Sequence, residues 1–518
     1  MQNPTDSDYV DVLIVGAGIS GIGAGYRLQT ELPHKTYAIL EARERSGGTW
    51  DLFRYPGVRS DSDAFTLSYP FRPWRAEASM AQGDEILSYI RDTAEEFGID
   101  DRIRFGHRVL GASWSSTDSV WRVRVATADG ERVLESAFLY VCSGYYDYDA
   151  PYDPELPGVG DFAGSVVHPQ HWPDDLDLSG RKVVVVGSGA TAMSLIPALA
   201  DRAGAVTLLQ RTPSYVFSQP QFDGLADALR DHLPAQAAHT AVRWKNALLQ
   251  IVLFQLCRRV PWAARLLFRH GAKANLPASV DPATHFAPPY QPWDQRVCIV
   301  PDNDLFHVLA DQRAEIVTDT IERFVPEGIR LSSGRTLEAD LVVTATGLQI
   351  LTAGGIRIDV DGESVDLGER WFYKGLLVSG VPNFALCIGY TNASWNLRSD
   401  LSTRYLCRLL AHLDRSGFTT CVPAAPPDGV EPLPLIDLKA GYVTRSAHLL
   451  PHRAARDPWR MKQNYLRDFV SLRVSRLDDR MAFGRVPVRP GRRAAESVTA
   501  GEQAPKRATE EKVSAAAR

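Results

Sequence analysis

Two glycine-rich turns, each set between an apolar run and a helical pattern, constrain this chain more than anything else in it. The first is Gly16-Ala-Gly-Ile-Ser-Gly21, after the run VDVLIV at residues 10–15. The second is Gly187-Ser-Gly-Ala-Thr-Ala192, after RKVVVV at residues 181–186. A short, apolar, β-branched run predicts a buried parallel strand. In a turn of this kind the first glycine allows a tight bend. The second lets the backbone approach a pyrophosphate, and the third lets helix and strand pack closely. The helix that follows offers unpaired N–H groups and a positive dipole end to phosphates.

The residues after each turn separate the two sites. A helix to about residue 32 and a strand at residues 37–40 complete β-α-β and end at Glu41, twenty positions after Gly21. A carboxylate there takes both ribose hydroxyls and disfavours a 2′-phosphate, so this half suits FAD or NAD. The strand expected at residues 206–209 ends without an acid, and Arg211 and Thr212 stand in that place. A guanidinium grips a 2′-phosphate through two parallel hydrogen bonds, so the second half prefers NADPH. Two nucleotides in one chain imply passage of a hydride between cofactors.

The chain of 518 residues is too long for one simple core. We expect an α/β fold of two Rossmann-like dinucleotide-binding domains. Residues 1–150 form the first part of the FAD domain. Residues 151–345 form the NADP domain, with a helical insertion at about 220–285. Residues 346–487 return to the FAD domain, residues 341–347 making the crossing, and residues 488–518 read as a disordered tail. Trp121, Val123 and Val125 alternate with arginines, as in a strand of a small hairpin. Residues 85–97 read as a helix and 139–143 as another short strand.

A formal net charge of -5 gives no reason to expect nucleic acid as a partner. The six cysteines are scattered without a C-x-x-C, which predicts free thiols in a reducing cytosol, no metal site and no dithiol-type reductase. The first ten residues carry no basic side chain, so no secretory signal is expected. The run ALLQIVLFQLC at residues 247–257 falls short of the ~20 residues that span a bilayer. Arg243, Lys245, Arg258, Arg259 and Arg265 flank it. It reads either as a buried helix or as an interfacial helix with basic edges. The expected location is cytoplasmic, with peripheral contact at the inner face of a membrane, through residues 241–270, left open.

Between the turns lie GGTWDLFRYPGVRSDSD (residues 47–63) and FAGSVVHPQHWP (residues 162–173). Taken singly, a loop rich in Gly, Pro and Asp, a loop histidine such as His168, or an arginine such as Arg296 carries no function. Together the patterns G-G-x-W-x-x-x-x-Y-P-G-x-x-x-D and F-x-G-x-x-x-H-x-x-x-W-P resemble those of type I Baeyer–Villiger flavin monooxygenases. RSDSD (59–63), CSGYY (142–146), PWDQR (292–296) and GYTNASW (389–395) are similar to the ethionamide-activating subgroup of that family. The resemblance spans residues 9–483.

The resemblance implies FAD, NADPH and dioxygen, and oxygen insertion through a C4a-peroxyflavin that turns ketones into esters or lactones. Oxidation of sulfides and thioamides is implied as a second activity. It places Gly16, Gly18, Ser20, Gly21, Glu41, Thr49, Trp50, Asp51, Leu52, Asp61 and Val109 at FAD. It places Arg59, Ser60 and Asp61 beside the nicotinamide, and Gly187, Ser188, Gly189, Ala190, Thr191, Ala192, Met193, Arg211 and Thr212 at NADP. Arg296 matches the essential arginine, with Asp61 orienting it. Phe162, Gly164, His168, Trp172 and Pro173 form a linker signature in which His168 couples domain motion. Gln295 stands where many members carry a lysine, which throws the 2′-phosphate more heavily onto Arg211. Two other readings stay open: a general or N-hydroxylating flavin monooxygenase, and a non-catalytic flavoprotein at a membrane surface.

Overall fold

The structure is a computed structural model and describes residues 8–486, so the tail expected from residue 488 lies outside the described residues. The chain opens with strand β1 (Tyr9–Val15), helix α1 (Ile19–Glu31) and strand β2 (Tyr37–Leu40), with β2 parallel to β1. Two short helices, α2 (Thr49–Leu52) and α3 (Ala64–Leu67), lie in and just after the loop at 47–63. Helix α4 (Gly83–Glu96) begins with a capping box between Gln82 and Glu85. Strand β3 (Ile103–Arg104) joins β2 at the sheet edge.

Strands β4 (Arg108–Ser115), β5 (Val120–Thr127) and β6 (Gly130–Val141) form an antiparallel meander. The sequence suggests a hairpin here and a separate strand at 139–143. The structure corrects this, because β6 is twelve residues long and serves both. Its first half closes the meander on β5, and its second half pairs in parallel with β1.

The second unit starts with β7 (Ser165–Val167), β8 (Lys182–Val186), α5 (Ala190–Ala200) and β9 (Ala205–Gln210). Strand β10 (Val216–Gln219) leads into helices α6 (Gly224–Arg230), α7 (Ala235–Arg259), α8 (Pro261–Asn275) and α9 (Pro282–His285). Strand β11 (Cys298–Pro301) pairs with β10 and is followed by α10 (Asp304–Ala310) and β12 (Glu315–Thr318). A small meander, β13 (Ile321–Val325), β14 (Gly328–Leu331) and β15 (Thr336–Glu338), precedes β16 (Leu341–Thr344). The order β12-β9-β8-β16-β7 makes a five-stranded sheet that is parallel throughout. Residues 341–346 therefore do not carry the chain back to the first unit as expected. All four residues of β16 are buried inside the second sheet, and the return begins after Gly347.

The returning chain adds β17 (Arg357–Val360) beside β4, then β18 (Glu363–Ser364), β19 (Phe372–Tyr373), β20 (Leu377–Val378) and β21 (Phe384–Leu386), the last pairing with β6. Helices α11 (Trp395–Ser416), α12 (Gly441–Ser446) and α13 (Tyr465–Val474) follow. The fold is thus built on two large sheets, of eleven and five strands, each with a β-α-β nucleotide unit at its heart, beside three smaller sheets among the described residues.

The helical stretch is not confined to the second unit. Val242 and Ala247 of α7 share an apolar core with Ile14, Ile22 and Phe65 of the first unit, whereas Ala272 and Phe286 join the core of the second. The buried Arg243 guanidinium donates to the carbonyls of Phe65, Thr66 and Ser68. Asn246 and Gln250 donate to the buried Asp63 carboxylate. A buried charge is tolerable only when so satisfied. Helix α7 therefore clamps the loop that carries residues 59–63. No helix of the described residues is long and apolar enough to cross a membrane.

Candidate active site

The first cradle is shaped by close backbone contacts. Gly16 has a φ of +103°, and a Cβ there would lie 2.7 Å from the Cys142 carbonyl oxygen. At Gly21 a Cβ would lie 1.9 Å from the Gly16 carbonyl oxygen. Helix α1 is preceded by Gly18, with no side-chain cap and no acid in its first turn, which leaves its N–H groups for phosphate. Glu41 is buried, and its carboxylate accepts from the Ala17 N–H at 2.8 Å and the Arg43 N–H at 3.0 Å. Burial raises its pKa, opposed by those two N–H groups.

The loop at 47–52 folds over this turn. The Gly47 N–H donates to the Ala17 carbonyl at 3.0 Å, and the Thr49 and Tyr148 hydroxyls lie 2.9 Å apart. Trp50 and Leu52 are half-buried. The Ser20 hydroxyl accepts from Trp395 Nε1 at 2.9 Å. The Asp51 carboxylate is buried between Arg43 at 2.6 Å and Arg91 at 2.7 Å, so it braces the loop. Val109 is buried in β4, two residues after His107, whose N–H donates to the Glu41 carbonyl at 2.9 Å.

The second cradle repeats the first. Gly187 has a φ of +146°, and a Cβ there would lie 2.2 Å from the Ala345 carbonyl oxygen. Helix α5 is preceded by Gly189, again without a side-chain cap or an acid in the first turn. A Cβ on Gly189 would meet no protein atom within 4 Å, so open space faces this turn. Ser188, Ala190 and Thr191 stand at the rim, and Ala192 and Met193 are buried behind it. Arg211 is exposed beside the half-buried Thr212 and has no carboxylate partner among the described residues. The donor sets fit two dinucleotides, the second with a 2′-phosphate.

The loop at 55–61 joins the two cradles. Tyr55 is buried in the core of the second unit, and a Cβ on Gly57 would lie 2.4 Å from the Ser194 carbonyl oxygen of α5. Arg59 is paired with Asp304 at the start of α10. The Ser60 N–H donates to the Ala81 carbonyl at 3.0 Å. Asp61 then meets Arg296, with Oδ2 and Nη2 2.7 Å apart. The carboxylate raises the guanidinium pKa against the opposing effect of burial. Arg296 sits two residues before β11, whose Cys298 Sγ lies 3.7 Å from the Ser188 carbonyl oxygen in the second cradle.

Three tyrosines face this pair. Tyr145, Tyr146 and Tyr442 all couple electrostatically to Arg296, and the Tyr145 and Tyr146 hydroxyls lie 3.0 Å apart. Trp395 stacks on Tyr145 with ring centres 5.3 Å apart. None of the four is singled out by sequence reasoning. Tyr145, Tyr146 and Trp395 lie in the matched words CSGYY and GYTNASW, whereas Tyr442 carries no local signal.

The linker signature ties both crossings. The His168 Nε2 lies 3.3 Å from the Gly347 carbonyl oxygen, and its Nδ1 accepts from the Gln170 N–H at 3.2 Å. Gln170 Nε2 donates to the carbonyls of Asp147 and Tyr148. The Phe162 ring lies edge-on to Phe324 at 5.8 Å, and Gly164 packs beneath Phe162 and the Asp340 carbonyl. Trp172 is half-buried against the core of the second unit, and Pro173 is exposed.

Two uncapped nucleotide cradles meeting at one arginine–carboxylate pair define a two-cofactor oxidoreductase. Comparison with known proteins narrows this. The family model for flavin-binding monooxygenase-like proteins matches residues 68–229, and that for NAD(P)-binding Rossmann-like domains matches residues 14–77. The chain is 48% identical over 487 residues to the FAD-containing monooxygenase EthA of Mycobacterium tuberculosis (strain ATCC 25618 / H37Rv), covering 94% of this chain and 100% of EthA. The fold is shared with oxidized steroid monooxygenase bound to NADP, at a TM-score of 0.71 and 22% identity, over 92% of this chain and 100% of that one. Open cyclohexanone monooxygenase gives 0.69 and 22%, over 80% and 90%. The chain belongs to the family of FAD-containing monooxygenases and is a flavin monooxygenase.

Proposed function

We propose that this enzyme is a Baeyer–Villiger monooxygenase that uses FAD, NADPH and dioxygen to turn ketones into esters or lactones. Oxygen transfer to sulfides and thioamides at the same centre is part of the reading. The observation that carries it is the Arg296–Asp61 pair at 2.7 Å, placed where the loop of the first cradle meets the second.

Flavin and NADPH, when bound, would supply the reducing power and the oxygen activation. The protein supplies position and field. Glu41 would take the ribose hydroxyls of FAD, and Arg211 with Thr212 would take the 2′-phosphate of NADPH. Asp61 keeps Arg296 protonated and fixes its direction through a charge-assisted bond. The guanidinium then opposes the negative charge that develops on the carbonyl oxygen of a ketone under attack. A preorganised donor of this kind contributes on the order of 10²–10³ in rate. Tyr145, Tyr146 and Tyr442 flank the guanidinium, whose side chain is 38% exposed, and Trp395 braces Tyr145. His168 holds the two units in register. The finer placement we propose is cytoplasmic, with peripheral contact to a membrane.

The test is the product formed from a methyl ketone under isotopically labelled dioxygen. The expected product is an ester carrying one labelled oxygen. Arg296→Ala is expected to keep its flavin and still be reduced by NADPH, yet to form at least ~10²-fold less ester. Undiminished ester formation by that variant removes Arg296 from the reaction.

A further inference from the structure

The helical insertion has a charge pattern unlike the rest of the chain. Between Asp231 and Asp281 there is no carboxylate side chain, in a protein of formal net charge -5. Arg243 is buried on backbone carbonyls, Lys245 pairs with Asp223 and Arg258 with Asp294. Arg259, Arg265, Arg269 and Lys273 are exposed and have no carboxylate partner among the described residues.

These cations share helical faces with exposed apolar side chains. On α7, Leu248, Val252, Gln255 and Arg259 recur at i, i+4, i+7 and i+11, one face of a helix. Leu248 is 44% exposed and Val252 63%, with Leu249 at 57% beside them. Helix α8 packs on α7 and repeats the arrangement: Trp262 (71%) and Leu266 (62%), then Arg269 and Lys273 at the same spacing. Helix α13 meets α7 through Trp244, which packs on Tyr465 and Phe469, and exposes Leu466, Val470 and Val474. Between α7 and α13 lies a cavity of about 320 Å³ lined by Gln255, Arg259, Arg460, Lys462, Asn464 and Arg467. Among the described residues only Lys462 of its cations has a carboxylate partner, Asp457 at 3.2 Å.

We infer that this face docks on an anionic lipid bilayer, with the cavity holding a lipid phosphate and the exposed apolar side chains entering the interface. The inference deepens, and rests on, the peripheral membrane contact proposed above. Exposed leucines and a tryptophan beside unpaired cations are the chemistry of an interfacial helix on an anionic leaflet. A second copy fits poorly, since a two-fold contact would set the cations of α7 and α8 largely against themselves, no carboxylate lying between Asp231 and Asp281. Nucleic acid would satisfy the cations but leave Trp262 and Leu266 in water.

The test sediments the full-length holoenzyme with phosphatidylcholine vesicles, with and without phosphatidylglycerol. Binding to the anionic vesicles that weakens as salt is raised is expected. Two variants, Leu249→Glu/Val252→Glu/Leu266→Glu and Arg259→Glu/Arg467→Glu, are each expected to lower the partition coefficient at least ~10-fold. Both should keep their flavin and their NADPH oxidation. If the apolar variant fails to fold, the charge variant decides alone. Full binding retained by the variants overturns this face while leaving a membrane contact elsewhere. No binding by the parent overturns this face and the peripheral contact together. The inference is also overturned if the face instead governs the mass of a self-associated species, or binds a DNA duplex and not vesicles.

Discussion

Asp61→Asn separates charge from geometry at the guanidinium. The amide keeps an oxygen that can accept from Arg296, at 2.7 Å in the parent, but the negative charge is gone. A hydrogen bond between charged groups is worth roughly twice a neutral one. We expect ester formation to fall about 10-fold, less than on loss of Arg296 itself. Flavin content should stay unchanged, as read from the visible spectrum of the purified protein. The second cradle offers a parallel test. Arg211 is exposed and has no carboxylate partner among the described residues, so replacing it disturbs little besides a bound 2′-phosphate. Arg211→Ala should raise the KM for NADPH about 10-fold or more while leaving that for NADH nearly unchanged. An unchanged ratio of the two KM values would assign the phosphate to other residues.

At the scale of an element, α7 is the part whose role the sequence hides. Its His239 is 3% exposed, takes the Trp74 N–H on Nδ1 and sets Nε2 3.2 Å from the Tyr69 carbonyl oxygen. Burial, with the Arg243 charge next, lowers its pKa from 6.5 to about 4. Between those values the unfolded chain binds the extra proton. The contribution to stability is therefore full above pH 6.5 and is lost as the pH falls toward about 4. His239→Gln keeps a donor and an acceptor without titrating. Its urea midpoint should fall less than the parent's across that window, and parallel acid limbs would contradict the assignment. The nucleotide turns were legible because strand, glycine spacing and helix are all local, and the acid or arginine that follows is a short count away. Asp61 and Arg296 were legible only through motif resemblance. The clamp made by Arg243, Asn246 and Gln250 was not, since its partners lie nearly two hundred residues earlier. The double use of β6 was equally hidden: alternation and apolarity each mark one half of the strand, and neither marks their continuity.

At the scale of the whole molecule, the two units are joined by chain crossings that the linker signature stitches together. Gln170 bonds the incoming crossing at Asp147 and Tyr148, and His168 reaches the outgoing crossing at Gly347. The pattern demands a neutral imidazole, with Nδ1 free to accept from the Gln170 N–H. Burial supplies it by lowering the His168 pKa. Protonation would set a second donor against that N–H, so the contact that orients the ring on Gln170 is present above the ordinary histidine range and is lost as the pH falls through the lowered folded-state value, while Nε2–H still donates to Gly347. The one bond that spans the crossing, at about 1 kcal/mol, can shift an equilibrium between domain poses by roughly 5-fold. A looser pose moves the loop at 55–61 relative to α5, and with it the Asp61–Arg296 pair. His168→Ala should therefore keep its flavin and still consume NADPH, but release more hydrogen peroxide and less ester per NADPH. His168→Gln, with a donor and an acceptor, should recover part of the coupling. The parent's coupling ratio should decline on acidification, whereas that of the alanine variant should stay flat. A variant that is slow but fully coupled at every pH would show that His168 serves only to fold the linker.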